Sequence, residues 1–242
     1  MAFEDWAESQ LRGLATGTAL HRPSSHQSLF KYVGLNTKTS WQRLTETLNY
    51  FKLGGSTAQA LNDPFELSPH IFDDLRPAVI SSVLEDTGLK ERLYGGRFDA
   101  KDKYADVDTY RKQARAYLGS LTRYYRIISF CERSDSPLLW SHYAQSYSGA
   151  CLHFLGRAFF RRDATMGRVA YAPFRPTLPL SVPLGLALKQ ISEGRQSELR
   201  AEIERAYFFS KAIDWAYEGE IRIVYDSRET QSAPFSQDGL SR

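Results

Sequence analysis

Residues 217–226, YEGEIRIVYD, set the strongest limit on the fold because their side chains alternate between polar and apolar. Successive side chains of a β-strand point to opposite faces of its sheet, so strict alternation predicts a strand with one apolar face. Glu218, Glu220 and Arg222 share one face of this strand, and Gly219 and two isoleucines share the other. The segment therefore predicts a sheet that is packed on one side.

The two glutamates of this strand are the first candidates for a functional site. Like charges side by side are unfavourable unless a cation, a proton or a ligand hydroxyl lies between them. Arg222 or Lys211 would supply part of that compensation. The alternative interpretation is a strand face that is simply solvated, since alternating Glu and Arg on a half-exposed strand is common.

The rest of the chain predicts a mixture of helices and strands. With 242 residues, of which 42% are apolar, it is long enough for one substantial core or two small ones. Composition and periodicity predict strands at 29–35, 50–53, 125–132, 149–155 and 168–173, and helices at about 74–94, 106–120 and 183–211. A further helix is expected to follow Ser40, which would be its N-terminal cap. No regular βαβ repetition is present, so we expect an α+β fold with a mostly antiparallel sheet and helical insertions.

The pattern also predicts how the chain is divided. Residues 1–28 are expected to be an N-terminal extension, 29–226 a single α+β catalytic or binding domain, and 227–242 a polar tail. The start of the chain lacks the basic residues and apolar stretch of a signal peptide, and the longest mostly apolar stretch, 178–188, is too short to span a bilayer. We therefore expect a cytoplasmic protein that does not cross a membrane.

Charge and cysteine usage exclude several classes of site. The formal net charge of +3 is too small to imply nucleic acid by itself, although five basic residues and no acid occur in 111–126. Cys131 and Cys151 lie twenty positions apart without a CxxC motif, which predicts reduced thiols and no zinc site. No dinucleotide-binding, P-loop or zinc-protease motif is present.

Three further segments carry candidate residues. Pro137 suits the first position of a helix. On that helix, Trp140 and Tyr143 of WSHYA would share a face and form an aromatic wall beside His142. The alternative is that these rings simply fill the core. The run Asn62-Asp63-Pro64 predicts an ordered turn, and Lys31-Tyr32 on the first strand places a cation where an anion can bind.

Four segments, taken together, resemble the bacterial family catalogued as domain of unknown function 2971. They are FKYVGL, ALNDPFEL, ISFCERSDSPLLWSHYAQSYSGACLHF and KAIDWAYEGEIRIVY, in this order, and they cover most of residues 29–225. The specific combination is NDPFE, WSHYA with a following Gly149, and W-x-x-E-x-E-x-R. The resemblance implies one recurring domain, and the family label names no reaction.

Lys31-Tyr32 on an early strand, the aromatic segment WSHYA and Glu218-x-Glu220 on a late strand follow one another in the chain. This order is similar to that of the ADP-ribosyltransferase superfamily, in which a late-strand glutamate holds the ribose of NAD. This resemblance implies that Glu220 is catalytic, that Glu218 orients the acceptor, and that Lys31 or Tyr32 grips the cofactor. It also implies that Tyr143 or Trp140 stacks on nicotinamide. The expected cofactor-binding residues are Lys31, Tyr32, Asn62, Asp63, Trp140, His142, Tyr143 and Arg222.

The function expected on this basis is NAD consumption, either ADP-ribosyl transfer to a protein or nucleic-acid acceptor or NAD hydrolysis. A toxin, a defence component and a housekeeping enzyme all stay open, as does the need for a regulatory partner protein. One alternative is a metal-dependent phosphodiesterase or nuclease in which Asp63, Glu218 and Glu220 bind the cation. Another is a non-catalytic module that binds a nucleotide or a protein.

Overall fold

Helices and strands alternate along the chain without a repeating unit. The computed structural model describes residues 23–63, 66–94, 106–159, 164–173, 175–193, 207–228 and 233–234. The strands are β1 (Ser28–Val33), β2 (Lys52–Leu53), β3 (His70–Phe72), β4 (Tyr125–Cys131), β5 (Ala150–Leu155), β6 (Ala164–Arg168), β7 (Ala170–Ala172), β8 (Thr177–Pro179), β9 (Ser210–Ala212), β10 (Glu220–Asp226) and β11 (Ala233–Pro234). The helices are α1 (Lys38–Tyr50), α2 (Pro77–Asp86), α3 (Leu89–Tyr94), α4 (Val107–Tyr124), α5 (Pro137–Tyr143) and α6 (Ser181–Glu193), and 3-10 helices occur at Ala58–Ala60, Gly156–Phe159 and Ile213–Glu218.

The chain groups into two units, each assembled from three separate segments. The helical unit takes in 1–17, 65–123 and 174–210, and the sheet unit takes in 18–64, 124–173 and 211–242. The helical unit contains α2, α3, α6 and nearly all of α4. The sheet unit contains the largest sheet and every candidate site residue. The boundaries expected at residues 28 and 226 stay predictions.

The sheet unit is built on five strands in the order β5-β1-β4-β10-β6, and every neighbouring pair is antiparallel. Short ladders also join β2 to β11 and β7 to β9, and within the helical unit β3 pairs with β8 in parallel. The expected α+β fold with a mostly antiparallel sheet is confirmed. Because β10 lies between two partners, all seven of its residues are buried.

One face of the five-stranded sheet carries the apolar core. Since Ile223 lies opposite Ile128 and Met166, the three side chains share this face. The buried residues of the core are Leu29, Leu53, Ile128, Phe130, Phe154, Ala158, Phe159, Met166, Ile221, Ile223 and Tyr225. The opposite face carries Glu220 and Arg222, and we call it the polar face.

Several local predictions are wrong in their bounds. The last strand begins at Glu220, and Glu218 ends a 3-10 helix instead of lying on the strand. The strand expected at 168–173 is two strands that separate at Val169, whose N–H donates to the carbonyl of Glu220 over 2.9 Å. The helix expected to be capped by Ser40 begins at Lys38, because the Thr37 hydroxyl caps it and Ser40 completes a capping box. This helix extends to Tyr50, so the strand expected at 50–53 is limited to Lys52–Leu53.

The helical unit confirms one predicted helix and divides another. The helix expected at 106–120 is α4, whose buried face is Tyr110, Ala114, Tyr117, Leu118 and Leu121. The stretch expected at 74–94 forms two helices, α2 and α3. The stretch expected at 183–211 forms α6 up to residue 193, and 194–206 lie outside the described residues. The helix prediction is wrong at its end, because Ser210 and Lys211 belong to strand β9. Within the described ranges, no helix combines the length and the apolar character needed to cross a bilayer.

Candidate functional site

A cluster of four buried charged side chains lies on the polar face of β10. Lys211, Glu218, Glu220 and Arg222, which we call the charged cluster, each expose at most 5% of their side-chain surface. Nζ of Lys211 lies 2.6 Å from Oε2 of Glu218 and 3.2 Å from Oε2 of Glu220. The ammonium of Lys211 therefore lies between the two carboxylates. The alternative interpretation of these residues as a solvated strand face is wrong.

Local structure explains how the four side chains meet. Strand β9 carries Lys211, and the 3-10 helix that follows it ends at Glu218. Gly219 then adopts φ 51° and ψ 50°, which turns the chain from that helix into β10. The turn brings Glu218 back beside Glu220 although only Glu220 belongs to the strand. The alternating pattern correctly predicted that Glu218 and Glu220 are neighbours. They are neighbours because of the turn at Gly219, and not because they share one face of a strand.

Arg222 holds Glu220 in a fixed orientation. Its Nε donates to Oε1 of Glu220 over 2.7 Å, and its Nη2 donates to Oε2 over 2.9 Å, so the pair is bidentate. The residues opposite Arg222 on the neighbouring strands are Ser129 and Gly167, whose small size leaves room for a guanidinium. The Ser129 side chain also lowers the pKa of Glu220. The backbone N–H of Glu220 donates to the hydroxyl of Tyr171 over 2.8 Å.

Burial and neighbouring charges shift the pKa values of the charged cluster in opposite directions. Burial raises the pKa of Glu220, and the charge of Lys211 opposes that rise. Burial alone would lower the pKa of Lys211, but attraction to Glu220 and Glu218 outweighs it, so the net shift is upward. Burial lowers the pKa of Arg222 to about 9, with the negative charge of Asp63 acting the other way. Arg222 and Lys211 are both positively charged at neutral pH.

Tyr143 connects the charged cluster to the surface. Its hydroxyl donates to Oε1 of Glu218, and its side chain is also hydrogen-bonded to Asn62, which is exposed. Burial raises the pKa of Tyr143, and the hydrogen bond to Glu218 raises it further. The phenol therefore remains a hydrogen-bond donor throughout the neutral range. Asn62 and Tyr143 form a path from solvent to Glu218.

The other aromatic candidates pack on the same face of the sheet. Trp140 meets the ring of Tyr32 edge to face at 5.3 Å between centroids, and its indole N–H donates to the carbonyl of Ser134 over 2.7 Å. The hydroxyl of Tyr32 donates to the carbonyl of Arg133 over 2.8 Å. Both rings are thus fixed by packing and by a backbone contact. Pro137 occupies the first turn of α5, as predicted.

His142 lies at the exposed edge of this aromatic group. Its Nδ1 is 3.0 Å from the hydroxyl of Tyr217, and the two rings meet edge to face at 6.0 Å between centroids. Tyr217 directly precedes Glu218 in the chain. His142 and Tyr217 therefore border the charged cluster without touching its carboxylates in any hydrogen bond between described residues.

Lys31 lies away from the position that the resemblance gave it. Side chains of adjacent strand residues point to opposite faces, and Tyr32 shares the face of Glu220 through the pairing of Phe30 with Cys131. Lys31 therefore belongs to the core face, where its Nζ lies 5.7 Å from the ring centroid of Phe130 and donates to the carbonyl of Ser129 over 3.2 Å. Burial lowers its pKa, with the charges of Cys131 and Glu220 opposing that shift.

The structure brings together some predicted residues and adds others. Glu218, Glu220, Arg222, Tyr143, Asn62 and Asp63 are in contact or within electrostatic reach of one another. Trp140, His142 and Tyr32 lie beside them, and Lys31 does not share their face. Sequence reasoning missed Ser129, Tyr171 and Tyr217, because no motif marks them. It had named Lys211 only as a source of compensating charge.

Two observations bear on the metal-dependent alternative. Among the described residues, no three His, Cys, Asp or Glu side chains are grouped so that they could hold a metal ion. In addition, the position between Glu218 and Glu220 is taken by the ammonium of Lys211. Lys211 therefore occupies the position that a cation shared by the two carboxylates would take.

The chain was compared with known proteins, and no family model, no curated protein and no solved structure matches it. The α+β class of the fold thus rests on the strands and helices themselves. Both resemblances noted from the sequence stay predictions.

Proposed function

We propose that the protein is an NAD-consuming enzyme whose chemistry takes place at Glu218 and Glu220. The observation that carries the proposal is the carboxylate pair that shares the ammonium of Lys211 at 2.6 and 3.2 Å. A carboxylate oxygen held beside the reacting ribose stabilises the positive charge that develops there, because the nearest oxygen interacts over the shortest distance. An oxocarbenium-like ribose is the positive species that such a pair suits.

The reaction breaks the glycosidic bond between ribose and nicotinamide. Nicotinamide leaves with the electron pair of that bond, and positive charge develops on the ribose. An oxygen or nitrogen of the acceptor, or water, then forms the new bond at the same carbon and gives up its proton. A carboxylate beside the ribose accepts a hydrogen bond from a sugar hydroxyl and stabilises the charge.

The hydrogen bonds favour Glu218 for this contact over Glu220. A carboxylate accepts about four hydrogen bonds, and Glu220 already accepts two from Arg222 and one from Lys211. Glu218 accepts one from Tyr143 and one from Lys211 within the described part of the chain. We therefore propose that Glu218 accepts the hydrogen bond from the ribose hydroxyl and that Glu220 orients Lys211 and Arg222. The resemblance alone implied the reverse.

Release of nicotinamide from NAD tests the proposal. Purified wild-type protein is compared with Glu218→Gln, with and without cell extract as a source of acceptor. We expect the variant to lose about 100-fold or more of the release rate and to keep its fold, because Lys211 retains Glu220. The matched control is Glu132→Gln, which removes a carboxylate paired with Arg168 at the end of β4. Release by Glu218→Gln at the wild-type rate contradicts the assignment, and no release by folded wild-type protein contradicts the function.

A non-catalytic nucleotide- or protein-binding module is the second candidate. The near-complete burial of all four cluster charges favours it, since a reacting group has to touch its substrate. NAD that is bound by the folded protein and recovered unchanged after long incubation would support this candidate. Turnover that requires Mg²⁺ or Mn²⁺ would instead revive the metal-dependent alternative.

A further inference from the structure

The turn after α5 has an unusual backbone. Gln145, Ser146 and Tyr147 have φ angles of 50°, 50° and 70°, so three consecutive residues other than glycine are left-handed. Side chains disfavour this region because Cβ approaches a carbonyl oxygen. Residues persist there only when surrounding contacts over-determine the conformation, and such positions concentrate at functional sites.

Hydrogen bonds on both sides hold this turn in place. The N–H of Ser146 donates to the carbonyl of Ser141 over 3.1 Å, and the N–H of Tyr147 donates to the carbonyl of Trp140 over 3.2 Å. Beyond α5, the N–H of Leu35 donates to the side chain of Gln145 over 3.2 Å. The turn is therefore tied both to its own helix and to the segment after β1.

The conformation presents the ring of Tyr147 to solvent. Tyr147 is 60% exposed, and its hydroxyl donates to the carbonyl of Pro137 over 2.9 Å. Its ring lies within 6° of parallel to that of Trp140, with 6.5 Å between centroids. Trp140 is itself fixed by Tyr32 and by the carbonyl of Ser134. An exposed aromatic ring whose polar end is already bonded offers a rigid apolar surface to a planar ligand.

We propose that Tyr147, backed by Trp140, is the stacking surface for the adenine ring of NAD. The choice of adenine rests on the proposed function, which places the bond to nicotinamide at Glu218. Tyr143 touches Glu218, and Trp140 lies three residues earlier, about 4.5 Å along α5. Tyr147 lies a further ring contact away. A ring that stacks on Tyr147 is therefore adenine, which lies at the end of NAD remote from the bond to nicotinamide.

Binding of adenosine monophosphate, which contains adenine without the reactive bond, tests the stacking surface. Base stacking on an aromatic side chain contributes enough that Tyr147→Ala is expected to weaken binding of this probe about 5- to 100-fold. Tyr147→Phe retains the ring and is expected to bind within a few-fold of wild type. The matched control is Tyr50→Ala, which removes an equally exposed tyrosine from the end of α1. Nicotinamide mononucleotide, the other half of NAD, is expected to bind Tyr147→Ala as it binds wild type.

A second variant guards against loss of folding. Tyr147→Gly removes the ring, and glycine suits a positive φ. We therefore expect this variant to keep the wild-type midpoint of thermal unfolding and to bind adenosine monophosphate more weakly. Binding of the probe that neither variant weakens overturns the stacking surface, even where nicotinamide release confirms the enzyme. No binding to folded wild-type protein overturns it too. Probe binding that depends on Tyr147, without any nicotinamide release, supports the surface and contradicts the proposed reaction.

Discussion

Arg222 is fully buried and is bound in a bidentate pair to Glu220, so each residue depends on the other. Removing one partner of a buried ion pair leaves an uncompensated charge in a medium of low polarity, which costs about 3 to 5 kcal/mol. Replacing both partners costs much less, because no charge is left without its counterion. The same reasoning makes Glu220 a poor residue to mutate without a stability control.

Arg222→Met is expected to lower the free energy of unfolding by about 3 to 5 kcal/mol, because it leaves Lys211 alone to compensate two glutamates. The double variant Glu220→Gln/Arg222→Met is expected to lose less than the sum of the two single variants, since it keeps the pair Lys211 and Glu218. Urea unfolding of the four proteins measures the coupling. Additive losses would show that the two side chains act independently.

The connection between helix α5 and strand β5 depends on one glycine, Gly149. Gly149 ends the left-handed turn and begins the approach to β5, where its N–H donates to the carbonyl of Ala144 over 2.8 Å. A Cβ at this position would overlap the carbonyl oxygen of Val33 and lie 2.9 Å from that of Ala144. Both neighbours are backbone atoms, so neither can move as a side chain does. The helix α5 and the strand β5 can be joined at this spacing only without a side chain.

Gly149→Ala is expected to lower the free energy of unfolding by about 1 to 3 kcal/mol, because added atoms in a packed region force the backbone to shift. Gly119→Ala is the matched control, since Gly119 is exposed within α4 and no described atom lies within 4 Å of the added Cβ. There the substitution should raise stability by about 0.5 to 1 kcal/mol. Thermal or urea unfolding of both variants checks the prediction. It would be contradicted if both substitutions lowered the free energy of unfolding, or if both raised it.

Across the whole molecule, burial raises the pKa of many weakly acidic groups. It raises the pKa of Cys131 to about 12, that of Cys151 to about 11, and those of Tyr32 and Tyr207 to about 12. The pKa values of Tyr143 and Tyr171 are also raised, chiefly by burial. These groups hold their protons more tightly in the folded chain than in the unfolded chain.

Stability is therefore expected to fall as the pH rises from about 9 to about 11. A group with a raised folded pKa contributes stability that is present below its unfolded pKa and lost above it. Unfolded thiols and phenols titrate near 8.5 and 10, which sets the start of the window. Lys31 and Arg222, whose pKa values burial lowers, act in the opposite direction but are fewer. Urea midpoints between pH 7 and pH 11 check the trend, and a constant midpoint would contradict it.

Local features of the fold were predictable from particular residues. The alternation through Ile221 and Ile223 correctly predicts a strand, and Pro137 correctly predicts the start of α5. Thr37 was overlooked as a cap because Ser40, three residues later, is also a good capping residue. Such errors move a boundary by a few residues and leave the element in place.

The residues around the charged cluster were less predictable, since they come from distant segments. Tyr143 on α5 and Tyr171 on β7 meet Glu218 and Glu220 through contacts that no local pattern encodes. The position of Lys31 depends on which face of β1 turns toward the core, and the register of β1 with β4 decides that.

The order of side chains along the chain was enough to predict an α+β protein, its main strands and a glutamate pair beside a cation. That is because period and propensity act between near neighbours. The tertiary structure decided that the pair is buried, that Lys211 lies between its members, and that Glu218 accepts fewer hydrogen bonds from the described residues than Glu220 does. These properties depend on which strands pair and in which register, so they arise from contacts between residues far apart in the chain.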